Sequence, residues 1–330
     1  MFDVPLLELG AAHDANRVGG KARGLATMIG RGLPVPPGFV VPVDTFIALA
    51  GEAFTESAKL ADSGGSADAA ARAAETMHGV GLSEEFLDRL TAAWDEIAGS
   101  GPVAVRSSAV GEDGAAWSFA GEHDSFLGVT TPDELADALR GCWASLFTKR
   151  AIAYRAQSRS RAAPMAVVVQ RMLRARSSGV MMSLNPSNGD RSSVVVESVW
   201  GLAEPLVSGQ ASPDRFVLNR ITGEVRRREL VPKTTAAVLG TGGSASVAVA
   251  PDEIEAASLD ESTLSRLHAS VPALEACAGG PADAEFAVDD GGLWFVQVRP
   301  ETYWSQRRTV AAGSSVIESV LATVTKPTEE

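Results

Sequence analysis

The chain has 330 residues, 45% of them hydrophobic and 21% charged, with a formal net charge of −12 and a pI near 4.9. That composition is globular rather than disordered, with length for one large two-lobed domain or two ordinary ones. So acidic a chain argues against broad binding to nucleic acid or anionic membranes, which need a basic surface, so an anionic ligand must be held by a few local cations.

Cys142 and Cys277 are the only cysteines and form no CxxC pair. This speaks against a zinc knuckle or a disulfide framework and fits a reducing cytoplasm. The opening "MFDVPLLELGAAHD" has no basic region followed by an apolar core, so it does not read as a signal peptide. The most apolar run, "MAVVVQ", is far too short to span a bilayer.

In chain order, "VGGKARGL" at residues 18–25 places Lys21 behind two glycines and ahead of a helical pattern over 20–31. Glycines there let the backbone approach something closely, and the lysine brings positive charge to the same spot, which suggests an anion. "GRGLPVPPG" stops the helix. "GFVVPV" is extended, and Pro42 makes it an edge strand at best. "DTFIALA" begins a helix with Asp44 as its N-cap. Residues 61–75 carry little pattern and read as surface.

"GPVAVRSSAV" is a strand entering a polar loop. In "TPDELADALRGCWASLF", Thr131 is the N-cap, Pro132 takes the first helical position and Glu134 closes a capping box. Leu135, Leu139, Trp143 and Leu146 then form one apolar stripe. "MAVVVQRM", "SGVMMSL" and "SSVVVESV" are three β-rich runs of a mostly antiparallel sheet, with "RFVLNR" and "EVRRREL" as two more strands. "LGTGGSASVAVA" reads as a loop, and residues 251–277 as helical. No Rossmann or P-loop glycine motif is present. The mixture predicts an α+β fold rather than a doubly wound sheet.

"DAEFAVDDGGLWFVQVRP" reads as a hairpin. With a three-residue turn at Asp290-Gly291-Gly292, residue 289 pairs with 293, Glu285 with Gln297, and Asp283 with Arg299. Two acids, an amide and an arginine then share one face, with Phe286, Val288, Trp294, Val296 and Val298 opposite. A two-residue turn would break that match. Glu285 and Gln297 offer oxygens suited to Mg²⁺, and Arg299 offers a fork for phosphate. A surface hairpin with a cross-strand Asp–Arg pair fits the same pattern.

Four ordered segments resemble one family. "GGKARGLATMIGRGLPVPPGFVV", "VAVRSSAVGEDGAAWSFAGEHDSFLGV", "VVVESVWGLAEPLVSGQASPDRFVLNR" and "EFAVDDGGLWFVQVRPET" look like the nucleotide-binding domain of the pyruvate phosphate dikinase and phosphoenolpyruvate synthase superfamily. Rifampin phosphotransferases and phenylphosphate synthases belong to the same group. The resemblance covers about residues 10–303. It implies an ATP-grasp fold over 1–305, two lobes clamping ATP, with 306–330 as a tail.

By this resemblance, Lys21, Arg106 and Arg299 contact the ATP phosphates and serve catalysis. Ser118, Phe119, Ala120 and Gly121 form the loop over the triphosphate. Gln170 and Met172 lie near the adenine, and Glu197 and Asp283 belong to the nucleotide pocket. Glu285 and Gln297 hold Mg²⁺. His123 departs from the family pattern, which has glutamine there.

The resemblance also implies a histidine that carries phosphate from ATP to an acceptor, in a glycine-rich segment with threonine nearby. His13, His78, His123 and His268 all lie outside such a segment. The chain therefore reads as the ATP-binding subunit of a split dikinase-type phosphotransferase, in the cytoplasm. A separate subunit would carry the phosphohistidine and a small-molecule acceptor, a phenol or alkylphenol, with AMP and phosphate released. "SSVIESVLATV" in the tail is either a docking helix or frayed. A stand-alone kinase giving ADP and a non-catalytic ATP sensor are the competing readings.

Overall fold

The computed structural model describes residues 5–64, 67–99, 101–110, 125–158, 161–240 and 243–305. Ser118 to Gly121, His123 and the tail 306–330 lie outside them. Two antiparallel sheets organise the chain. The first has five strands in the order β1-β2-β5-β3-β4, formed by β1 (Leu7–Glu8), β2 (Gly38–Val41), β3 (Val103–Ala109), β4 (Ser125–Val129) and β5 (Met165–Arg171). The second uses β6 (Ser177–Met182), β7 (Ser193–Trp200), β8 (Asp214–Asn219) and β9 (Val225–Glu229). A hairpin of β10 (Thr235–Gly240) and β11 (Gly243–Ala248) follows. β12 (Ala282–Asp289) and β13 (Gly292–Pro300) then complete a six-stranded sheet in the order β13-β12-β6-β7-β8-β9.

The helices are α1 (Ala15–Gly30), α2 (Val43–Gly64), α3 (Ala67–His78), α4 (Glu84–Ala98), α5 (Pro132–Ala144), α6 (Lys149–Ser158), α7 (Glu204–Val207) and α8 (Glu261–Ala278). Alternation along the strands divides two cores. Val167 and Val169 of β5, with Val103 and Val105 of β3, pack against Phe46, Leu90 and Trp143 from the helical layer. Ala166 and Val168 face the other way, onto α1, whose Ala22, Leu25 and Met28 also meet the large sheet and α8. So α1 is wedged between the two sheets, and the cleft opens beside it.

Several expectations hold in detail. Thr131 accepts the Glu134 N–H at 3.2 Å, and the whole apolar stripe of α5 is buried. Glu134 reaches back to the N–H and hydroxyl of Thr130, one residue earlier than a standard capping box. The depressed Glu134 carboxyl pKa follows, first from that backbone N–H and then from the hydroxyl.

Others are corrected. "GFVVPV" is not an edge strand: β2 sits between β1 and β5, and Pro42 lies just past its end. Asp44 is not an N-cap but lies in the first turn of α2, where its carboxylate binds Arg17 at 2.7 Å. Residues 67–75 are helical, with Ala69, Ala70 and Ala73 buried; small side chains gave no periodic signal yet pack closely. The first of the three β-rich runs belongs to the other sheet. "LGTGGSASVAVA" contains a strand pair, β10 and β11. Of 251–277, only the part from Glu261 is helical.

Candidate functional site

The site begins with α1. Gly19 has φ 75 and breaks the helix just before Lys21. A Cβ there would lie 2.2 Å from the Ser108 carbonyl oxygen. The Ser108 hydroxyl donates to the Val18 carbonyl at 2.7 Å and accepts the Ala22 N–H at 3.1 Å, holding both sides of the break. This glycine therefore lets α1 approach the backbone of β3, and the contact fixes where Lys21 stands.

β3 supplies the next cation. Val103, Val105 and Ser107 face the helical layer side, so Ala104, Arg106 and Ser108 face α1 and the cleft. Arg106 crosses the cleft. Its Nη1 donates to the Val296 carbonyl at 2.7 Å and its Nη2 to Gln297 Oε1 at 2.8 Å, with Glu285 Oε2 at 3.7 Å.

The β12–β13 hairpin corrects the expected turn, and with it the pairing of 289 with 293, and keeps the pairs Glu285–Gln297 and Asp283–Arg299. Asp289 pairs with Gly292, so the turn has two residues, Asp290 and Gly291. A bulge at Val296 adds one residue to β13 and restores the register, so Glu285 pairs with Gln297 and Asp283 with Arg299. On the turn side of the bulge the faces are exchanged. Leu293 and Phe295 enter the core instead of Trp294, which lies under the Arg171 guanidinium. The bulge also turns the Val296 carbonyl toward Arg106.

Pairing across the large sheet sets Gln297, Glu285, Val180, Glu197 and Arg215 in one row. A second row carries Arg299, Asp283 and Met182. Arg299 Nε lies 3.4 Å from Asp283 Oδ2. Burial raises the Asp283 pKa above the ordinary carboxylate value; Arg299 opposes the shift, and Glu301 adds to it.

Between the sheets lies a cavity of ≈ 480 Å³. Lys21, Arg106, Gln170, Met172, Asp283, Glu285, Gln297 and Arg299 all line it. Gln170 is buried, with its amide donating to the Pro36 carbonyl at 3.3 Å. Glu197 does not line the cavity. It sits about 10 Å from Glu285 by strand spacing, with Arg215 at 3.8 Å. The sequence reading missed Arg171, Leu202, Glu204 and Val207 in the lining. Trp200, at the end of β7, donates its indole N–H to the Glu253 carbonyl at 3.1 Å. The only cue for Glu204 was an acid beside a proline at a strand end.

The lining is divided. Lys21, Arg106, Arg299, Asp283, Glu285 and Gln297 gather at one end. Met172, Leu173, Leu202 and Val207, which follow the ends of β5 and β7, make the other end mainly apolar, with Arg171 and Glu204 as charged groups among them. Glu285 and Gln297, adjacent oxygen donors beside three cations, suit a Mg²⁺ that keeps waters and substrate oxygens in its shell. Among the described residues, His, Cys, Asp and Glu form no cluster of three that would hold a metal unaided.

Residues 15–318 match the family model "Pyruvate phosphate dikinase, AMP/ATP-binding domain". The chain belongs to that family. Its two-lobed α+β architecture is the ATP-grasp fold that the resemblance implied. This nucleotide-binding domain is 34% identical over 292 residues to the prodigiosin synthesizing transferase PigC of Serratia marcescens, covering 88% of this chain and 32% of that protein. It is 31% identical to a probable phosphoenolpyruvate synthase of Methanocaldococcus jannaschii, covering 88% and 26%. It is 36% identical to a rifampicin phosphotransferase from Streptomyces sp, covering 91% and 36%. The chain thus spans about a third of the length of these relatives. Among the described residues, no helix is long and apolar enough to cross a membrane.

Proposed function

We propose that this chain binds Mg-ATP in the cleft and presents it to a histidine on a separate subunit, as the nucleotide half of a dikinase-type phosphotransferase. The observation that carries the reading is the division of the cavity. Met182, in the Arg299–Asp283 row, lies five residues along β6 from Ser177, where the segment from β5 enters. That is about 17 Å of strand, the length an extended nucleoside triphosphate requires. The base and sugar occupy the apolar end beside Met172 and Leu202, and the triphosphate runs toward Arg299.

In this reading the protein positions and neutralises. Lys21 and Arg106 reach the phosphates from one lobe, and Arg299 grips them from the other. Glu285 and Gln297 would hold Mg²⁺, which when bound offsets phosphate charge. Arg106 exchanges its bonds to Gln297 and Val296 for bonds to phosphate oxygens as the nucleotide enters. Among the described residues no histidine lines the cavity, so the nucleophile comes from outside them. The histidine takes a phosphoryl or pyrophosphoryl group and passes phosphate to a small-molecule acceptor. ATP, acceptor hydroxyl and water give AMP, phosphate and phosphorylated acceptor. A phenolic acceptor is proposed from the resemblance to phenylphosphate synthases.

The test uses β-labelled ATP and Mg²⁺ with the purified chain, with and without soluble extract of its source cells. AMP together with an acid-labile, base-stable label on a second polypeptide supports the proposal. ADP from the chain alone, with no labelled protein, makes it an autonomous kinase and overturns the two-subunit reading.

A further inference from the structure

We infer that the β10–β11 hairpin is a strap that ties the two lobes together along one side of the cavity and limits how far they open, with Leu239 against Gly128 as its catch. The hairpin belongs to neither large sheet. Its root is held by one buried carboxylate. Asp214 of β8 accepts the Val231 N–H and the Lys233 ammonium on the chain entering the hairpin, and the Ser258 N–H and hydroxyl on the chain that follows it. Breaking either side would leave a charge buried and unpaired, so the root stays closed. Further along, the Ala237 carbonyl of β10 accepts the Leu202 N–H at 2.7 Å. Gly201, with φ 73, permits that approach, since a Cβ there would lie 2.0 Å from the Ala237 carbonyl oxygen.

Two positions on, β10 reaches the other lobe. Ala237 and Leu239 share one face of the strand, and a Cβ on Gly128 of β4 would lie 2.9 Å from Leu239 Cδ1. Gly128 has φ 73 and stands in a bulge, where β4 sets Leu127 and Gly128 against Ala104 of β3. The missing side chain leaves the space that Leu239 fills. Both structures joined in this way are walls of the cavity: Ser125 and Leu127 of β4 on one lobe, Leu202 and Glu204 on the other. Ser244 of β11 also donates to Glu204. The lobes already meet at α1, whose Gly24 lies against Val298 of β13. β13 and β7 are three strands apart in the large sheet, about 14 Å. With a joint along β13 and a catch beside β7, the cavity opens between them only when Leu239 leaves Gly128. Such a strap acts whatever the cavity binds. The other account is that the hairpin merely covers the edge of β4, and that account predicts a lobe spacing indifferent to Leu239.

The test is pulsed electron spin resonance between nitroxide labels at Ile47→Cys in α2 and Ile221→Cys in the β8–β9 turn, both exposed and one on each lobe. Cys277→Ser removes the partly exposed native thiol, and Cys142 is buried. No ligand is added. The labelled parent chain should give one narrow distance distribution. Leu239→Ala should broaden it and extend it to longer distances, while Val247→Ala, near the root of the hairpin, should leave it narrow. Melting curves establish that each variant is folded; if Leu239→Ala is not, Leu239→Val is read in its place. A broad distribution in the parent chain would overturn the assignment. So would an unchanged distribution in the folded Leu239 variant, or equal broadening in Val247→Ala.

Discussion

Arg106 Nη2 donates to Gln297 Oε1 at 2.8 Å, so a strand of the five-stranded sheet grips the last strand of the six-stranded one across the cleft. The grip depends on a guanidinium fork, because Nη1 takes the Val296 carbonyl at the same time. Arg106→Lys keeps the charge and loses the fork. Its affinity for Mg-ATP should fall at least tenfold by calorimetry, and Arg106→Ala should fall further. Unchanged affinity in both would remove Arg106 from the site.

Lys21→Ala and Arg299→Ala should abolish nucleotide turnover in the complete system while leaving circular dichroism and melting temperature near wild type. Both side chains line the cavity rather than a core. Near-normal turnover in either variant would contradict the phosphate assignment.

Gly19→Ala should destabilise the domain by about 3 kcal/mol or more. Its φ of 75 disfavours any Cβ, and that Cβ would strike the Ser108 carbonyl oxygen. Denaturant unfolding measures the loss. A change under about 1 kcal/mol would mean the break in α1 is not a tight contact.

Asp283 gives a pH signature. Its folded pKa is raised, chiefly by burial, so the folded state binds the proton more tightly than the unfolded chain. The stability this contributes is present below the unfolded value of 3.8 and is lost as pH rises through the folded value. Relative to wild type, Asp283→Asn should therefore gain in melting temperature as pH rises above about 4. The facing charges, Arg299, Glu285 and Glu301, are retained in the variant. A difference independent of pH would show that the Asp283 pKa is the same folded and unfolded.

Lys233 and Asp214 form a buried ion pair at 2.7 Å, with side-chain exposures of 4% and 0%. Asp214 also accepts the N–H groups of Val231 and Ser258 and the Ser258 hydroxyl. Lys233→Met strands that carboxylate and should cost about 3–5 kcal/mol. Unfolding of Lys233→Met and of Lys233→Met/Asp214→Asn checks it. The double variant should recover part of the loss, and no recovery would show that packing rather than charge sets the cost.

Much of the site was legible because strands have a fixed period. Alternation alone put Asp283, Glu285, Gln297 and Arg299 on one face, and the order of four motifs pointed to the family. Glu285–Gln297 and Asp283–Arg299 pair as expected, although the turn is one residue shorter and Asp289 pairs with Gly292 rather than 293: Val296 bulges out and compensates. Bulges leave no mark in a hydrophobic pattern, because one extra residue shifts no composition.

The sequence by itself determined which residue types were available, the cap and stripe of α5, and the face of β12 that carries Asp283 and Glu285. These follow from interactions between residues a few positions apart, where the period is set by backbone geometry. Only the tertiary structure decided that β5 belongs with β2 and β3 rather than with β6, that Glu204 lines the cleft and Glu197 does not, and that Arg106 meets Gln297 191 positions away. Those choices depend on how two sheets and the wedged helix α1 bury their apolar faces together, a condition that no single stretch of the chain contains.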